Sequence, residues 1–194
     1  MSRQKQALPW LGVGLLFLTA CASGSLRPPA EGLEASAGAV AEEGREDGLL
    51  PPVFTADQIR SATPAGRTYV WRFEAGAEVS IQRLRFLRVD DEGAVTRSYA
   101  DGQEGPEAYL RWEELEAHGR YPDSTTTRSR TVVEVPFGRF EGWHYTSQGP
   151  SERTEVWFAD ELPGAPIRQR IEKDGQQVFF MELLDHSVEP LWSD

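Results

Sequence analysis

The chain has 194 residues and carries 31 acidic residues against 20 Lys and Arg, a net charge of −11, with one cysteine. That balance argues against nucleic acid as a partner, whose phosphates demand clustered cations, and against close docking on anionic lipid headgroups. A lone cysteine permits no disulfide within the chain, so any folded domain must rest on its core alone.

The first residues carry Arg3 and Lys5, followed by an apolar run from Ala7 to Ala20 broken by Pro9, Gly12, Gly14 and Thr19. This is the charged start, short apolar centre and small-residue exit of a secretory signal. A membrane-spanning helix needs roughly 20 apolar residues, and this run stops short before Ser23, Gly24, Arg27 and Pro28-Pro29. Leu18-Thr19-Ala20-Cys21 resembles the lipobox of bacterial lipoproteins. The resemblance implies that residues 1–20 are removed and that Cys21 becomes an acylated N-terminus holding the protein to a membrane. Ordinary signal cleavage after the small Thr19 and Ala20 is the milder alternative. Against it, a free cysteine usually sits in a core, whereas Cys21 stands between a signal and a polar segment. Ala22 occupies the place where an Asp is associated with inner-membrane retention. In a cell with two membranes the resemblance therefore implies the outer one, with the periplasmic or surface face left open. Loss of Arg3 and Lys5 with the signal takes the net charge from −11 to −13.

Residues 21–50 read as the lipidated Cys and a flexible acidic linker. From Ala22 onward they hold no aromatic residue and are dominated by Ala, Gly, Ser, Pro and Glu, too little apolar surface to fold. A flexible chain of about 29 residues spans roughly 30 Å, enough to hold a domain clear of a membrane. Residues 51–194 are expected to form a single folded α+β domain.

Thr55 with Gln58 three residues on predicts an N-capped short helix that ends before Pro64. Thr68–Glu74 alternates, with Tyr69, Trp71 and Phe73 on one face of a strand. Val79–Val89 is a second strand whose mixed pattern predicts a bulge near Arg83–Arg85, and Asp90-Asp91-Glu92-Gly93 turns it into Val95–Tyr99. The main helix is predicted over 106–118, with Pro106 in its first turn, Tyr109, Trp112 and Leu115 on one face and Gly119 as its stop. A meander follows: Thr131–Val135, Phe140–Thr146, Thr154–Phe158, Ile167–Glu172 and Val178–Leu184. The last two pair across Asp174-Gly175. About eight mainly antiparallel, meandering strands with one main helix packed on them make an α+β layout.

The run Arg111 to His118, then Val135-Pro136-Phe137-Gly138-Arg139-Phe140, then Val156-Trp157-Phe158-Ala159 closed by Leu162-Pro163-Gly164, resembles a pattern in uncharacterised exported bacterial proteins. It covers roughly residues 107–185 and implies a fold, with no known active site. Strands wrapped around a helix are also similar in outline to lipoprotein and lipid carriers of the LolA/LolB kind, an analogy of architecture alone.

Catalytic, cofactor and metal motifs are not found. His118, His144 and His186 lack ligand spacing. Asp185-His186-Ser187 are neighbours on a strand, so they alternate faces and form no relay. The acidic turns Asp90-Asp91-Glu92 and Asp160-Glu161 read as solvated charge. Arg83, Arg85, Arg88, Arg128 and Arg130 read as partners of Glu on neighbouring strands. The aromatic set of Tyr69, Trp71, Phe73, Trp143, Tyr145, Trp157, Phe179 and Phe180 reads as core. The expectation is a membrane-anchored envelope lipoprotein whose domain is non-enzymatic and binds or scaffolds a partner protein. The alternative is a carrier that shelters an acyl chain or other apolar ligand in a curved-sheet cavity.

Overall fold

The computed structural model describes residues 48–189. Residues 1–20, Cys21, the stretch to residue 47 and residues 190–194 lie outside the described residues. The helix α1 (Ala56–Ala62) begins where the capping pair predicts: Gln58 N–H donates to Thr55 Oγ1 at 3.3 Å and Thr55 N–H to Gln58 Oε1 at 2.9 Å. Ahead of it, Leu50 N–H donates to Tyr121 O at 2.8 Å and Asp123 N–H to Gly48 O at 2.9 Å. Gly48–Leu50, which composition alone groups with the linker, are thus held by the folded part.

Strands β1 (Arg67–Ala75), β2 (Glu78–Val89), β3 (Gly93–Ala100) and β4 (Gln103–Arg111) form one meander. After the short helix α2 (Trp112–Ala117), strands β5 (Thr126–Val135), β6 (Gly138–Gln148), β7 (Glu152–Ala159), β8 (Pro166–Lys173) and β9 (Gln176–Val188) form a second. β9 closes antiparallel on β1, giving one nine-stranded sheet ordered β4-β3-β2-β1-β9-β8-β7-β6-β5. The expected antiparallel layout is present, with nine strands against about eight expected.

The predicted helix over 106–118 is corrected. Residues Gln103–Arg111 are strand β4, and the helix is confined to Trp112–Ala117. β4 lies at the sheet edge, where the missing N–H of Pro106 removes no bond that a central strand would need. Asp101 and Gly102, at φ 49° and 82°, make the tight turn that delivers it. Tyr109 is 45% exposed and donates to Asp90 Oδ1 at 2.9 Å, while Trp112 is buried at 2% and its indole donates to Asp90 O at 2.9 Å. The bulge expected near Arg83–Arg85 falls slightly later, between Phe86 and Arg88.

This topology explains why α2 lies on the sheet. The chain leaves at edge β4 and re-enters at the opposite edge β5, a flat width of about 38 Å at about 4.8 Å per strand. Between those edges lie α2 and residues 118–125, which turn at His118-Gly119 and again at Asp123–Thr125. The link packs on one face of the sheet through Trp112 and Leu115, and the sheet curves. Its curvature brings the β5–β6 tip near β9, where the Phe137 ring centroid is 4.5 Å from that of His186. Arg168 of β8 also donates to Glu134 O of β5.

Ile59 of α1 and Trp112 of α2 join Tyr69, Trp71, Phe86, Ile167 and Leu183 in the main core, and Leu115 packs against it. Tyr69 stacks on Trp71 at 5.3 Å and meets Phe86 edge-on at 6.2 Å. Glu116 of α2 accepts Ala56 N–H of α1 at 2.7 Å, locking the two helices together. A second cluster of Tyr145, Val156 and Phe158 is covered by Leu50, Val53, Phe54 and Tyr121.

Candidate functional site

Side chains alternate faces along each strand, so the register decides which charges meet on the face alternate to Tyr69, Trp71 and Phe73. One row across five strands reads Arg72, Glu182, Arg168, Trp157, His144. The next row reads Glu74, Phe180, Arg170, Glu155, Thr146. A band of ion pairs and aromatic rings results, drawn from β1, β9, β8, β7 and β6.

Two carboxylates are buried under this band: Glu155 at 3% exposure and Glu182 at 8%. A buried carboxylate is tolerated only when paired and hydrogen-bonded. Arg170 donates to Glu155 Oε2 through Nε at 2.8 Å and also through Nη2, and Arg153 Nη2 lies 3.0 Å from Oε1. Arg168 grips Glu182 Oε1 through Nη2 at 2.6 Å and Nε at 3.2 Å, with Arg72 at 3.9 Å from the other oxygen. Burial pushes the Glu155 carboxyl up, but Arg170, Arg153 and His144 outweigh it and hold the group below its ordinary value.

The imidazole of His144 stacks flat on Trp157, with centroids 4.4 Å apart and 4° between planes. Burial, helped by Arg153 and Arg170 against the pull of Glu155, keeps it below its ordinary pKa. Its Nε2 lies 3.3 Å from Glu155 Oε1 and 3.4 Å from Thr146 Oγ1. A nucleophile–base–carboxylate relay uses opposite ring nitrogens, one for the hydroxyl and one for the carboxylate. Here both partners crowd the same nitrogen, so the trio is a packing and hydrogen-bonding unit.

The other residues singled out from sequence are placed apart from this band. His118 caps α2, its N–H donating to Glu114 O at 3.1 Å, and burial lowers its pKa. Arg67 Nη1 lies 3.3 Å from His186 Nδ1, and burial with that guanidinium lowers the His186 pKa. Asp90 Oδ1 accepts from Glu92 N–H, Gly93 N–H and the Tyr109 hydroxyl, so this carboxylate is committed to its turn. Arg88 pairs with Glu107 at 3.8 Å, Arg85 with Glu189 at 3.5 Å and Arg130 with Asp160 at 2.6 Å. Arg128 and Arg130 both lie over the Trp143 ring. Cys21 lies outside the described residues.

Sequence reasoning missed Glu155, Glu182, Arg168, Arg170 and Arg72 as a group. The available signal was the period-two charge in Arg153-Thr154-Glu155 and Arg168-Gln169-Arg170-Ile171-Glu172. Charged residues alternating with apolar ones on an inner strand need partners on the neighbouring strands.

Among the described residues no helix is long and apolar enough to cross a membrane. No family model matches the sequence, and no curated protein matches it. In solved structures the chain is similar to one in the Pseudomonas aeruginosa MucA/MucB complex, with a TM-score of 0.42 and 12% identity over 68% of this chain and 54% of that one. It is also similar to a Bacteroides fragilis protein of YmcC-like fold, with a TM-score of 0.40 and 8% identity over 71% of this chain and 100% of that one. The chain spans about half the length, 54%, of the MucA/MucB chain it matches.

Proposed function

We propose that the protein is a non-enzymatic binding domain of the bacterial cell envelope, tethered through acyl chains on Cys21 and an acidic linker. The observation that carries the binding role is the band around Glu155 and Glu182. Its buried carboxylates fix Arg170 and Arg168 in place before any partner arrives, which lowers the ordering cost of association. The single-nitrogen crowding at His144 speaks against catalysis there. The carrier alternative is less well supported, because the rings that would line a cavity pack on one another, Tyr69 on Trp71 and Phe86, and Phe73 on Phe179 at 6.0 Å.

The tether rests on the signal-like run and Leu18-Thr19-Ala20-Cys21, and the outer membrane is the proposed home in a cell with two. Metabolic labelling with a radioactive fatty acid should mark the wild type and spare Cys21→Ser; label kept by the variant overturns the anchor. Organic extraction of protein purified from membranes separates binder from carrier. Trace lipid beyond the covalent acyl groups is expected, and a stoichiometric non-covalent acyl lipid would overturn the binder reading.

A further inference from the structure

The band contains a depression of about 340 Å³ lined by Trp157, Arg168, Arg170, Gln177 and Phe180. We infer that this depression binds an acidic segment of a partner protein, seating a Glu or Asp carboxylate between Arg168 and Arg170 with an apolar neighbour against Trp157 and Phe180. The inference rests on the binding role proposed above and names the chemistry of the partner.

The hydrogen-bond inventory of the two arginines points to a carboxylate. Arg168 spends Nε and Nη2 on Glu182 and on Glu134 O. Arg170 spends Nε and Nη2 on Glu155. Nη1 of each makes no hydrogen bond within the described residues, and guanidinium N–H groups are strong donors that pair with carboxylate oxygens. The two arginines stand two residues apart on β8, so their side chains share a face about 6.6 Å apart along the strand. That spacing lets both donors reach one carboxylate.

Glu155 and Glu182 are absent from the lining, although they hold both cations from below. They neutralise the two cations locally while the chain as a whole carries −11, so recognition depends on contact geometry rather than on steering. A partner carboxylate replaces water at donors that are already fixed, and its neighbour meets Trp157 and Phe180, rings that Arg168 and Arg72 hold by cation–π contact. The volume is at the small end of ligand pockets, about 300–1,000 Å³, which suits one or two side chains of a peptide.

The test is fluorescence anisotropy with the full-length protein purified in detergent and a dye-labelled peptide of alternating Glu and Phe. A matched Gln and Phe peptide serves as the charge-free control. The acidic peptide is expected to bind at least about tenfold tighter than the control. Gln177→Glu, at an exposed position, should weaken the acidic peptide about tenfold and leave the melting midpoint unmoved. Because Arg170→Gln alone leaves one oxygen of buried Glu155 without its cation, the double change Arg170→Gln with Glu155→Gln keeps the local charge balanced. It should lose the acidic peptide and keep its fold. Equal affinity for the two peptides, or full acidic-peptide binding by either variant, overturns the site. Binding that appears only after Glu42, Glu43, Glu46 and Asp47 are changed to their amides makes this chain's own segment the occupant and overturns the partner assignment. The binding-domain reading fails separately, on stoichiometric lipid in the extract.

Discussion

Arg170 closes on the buried carboxylate of Glu155, with Nε at 2.8 Å from Oε2. Arg153 takes the other oxygen at 3.0 Å, so polar groups from three strands converge on one inner carboxylate: its own β7, β8 and, through His144, β6. Replacing Glu155 takes the shared counter-charge from Arg170 and Arg153 and puts a neutral amide in the buried site that their hydrogen bonds were built around. Glu155→Gln should therefore destabilise the fold by about 2–3 kcal/mol, measured as a lower urea midpoint. The exposed contact of Arg88 with Glu107 at 3.8 Å is the contrast: Arg88→Gln should cost about 0–1 kcal/mol.

Acid should weaken the protein in one direction only. His118, His144 and His186 are all held below the ordinary imidazole value of 6.5. As pH falls through that value the unfolded chain takes protons that the folded chain refuses, so stability present above it is lost. Glu116 and Glu155 are held below the ordinary 4.5, so their contribution is present above that value and is lost as pH falls through their folded pKa. Both sets act with the same sign. Urea midpoints should fall steadily from about pH 7 to pH 4, and a flat or rising profile would contradict these assignments.

Two glycines separate a close-approach requirement from a turn requirement. A Cβ on Gly142 of β6 would stand 1.8 Å from Phe158 O of β7. Gly142→Ala must push two paired strands apart and should cost about 3 kcal/mol or more. At Gly102 a Cβ meets open space, and only the positive φ of 82° opposes it. Gly102→Ala should cost about 1 kcal/mol, and thermal melts of the two variants should keep that order.

The parts of this fold that sequence patterns reveal are those set by local chemistry. The Thr55–Gln58 cap, the alternating Tyr69, Trp71 and Phe73, and the Asp174-Gly175 hairpin all depend on residues close along the chain. Asp101-Gly102 carries the same turn signal as Asp174-Gly175, with φ 49° and 82° against 51° and 77°. It was masked by the three-residue recurrence of Tyr109, Trp112 and Leu115, which imitates a helix face but straddles the end of β4 and the start of α2. The binding band is less legible because a bulge conceals it. A regular hairpin from Lys173 and Gln176 would set Arg168 opposite Met181. The register shift between Ile171 and Glu172 sets it opposite Glu182 instead. One extra residue thus moves Glu182, which already faces Arg72 across β1, into line with Arg168, and composition carries no trace of that shift.

Trp112 tests the corrected boundary between β4 and α2. It is 2% exposed and anchored by its indole N–H to Asp90 O. Trp112→Ala should cost about 3–5 kcal/mol in a urea titration. Tyr109→Ala, on the exposed side of the edge strand, should cost about 1 kcal/mol, chiefly the hydrogen bond to Asp90. Equal costs would return Tyr109 and Trp112 to one buried helix face.

The proposed working face is tested most directly in living cells by a photoactivatable cross-linking residue placed at Gln177, in the wall of the depression, and separately at Gln58 on α1, both exposed positions. The account predicts that illumination joins the protein to a second envelope protein from position 177 and not from position 58. The 177 product should disappear when Arg170 and Glu155 are both changed to Gln. A cross-link from position 58 alone, or a 177 product unchanged by that double substitution, would contradict the assignment of the β7–β9 band as the surface this protein uses.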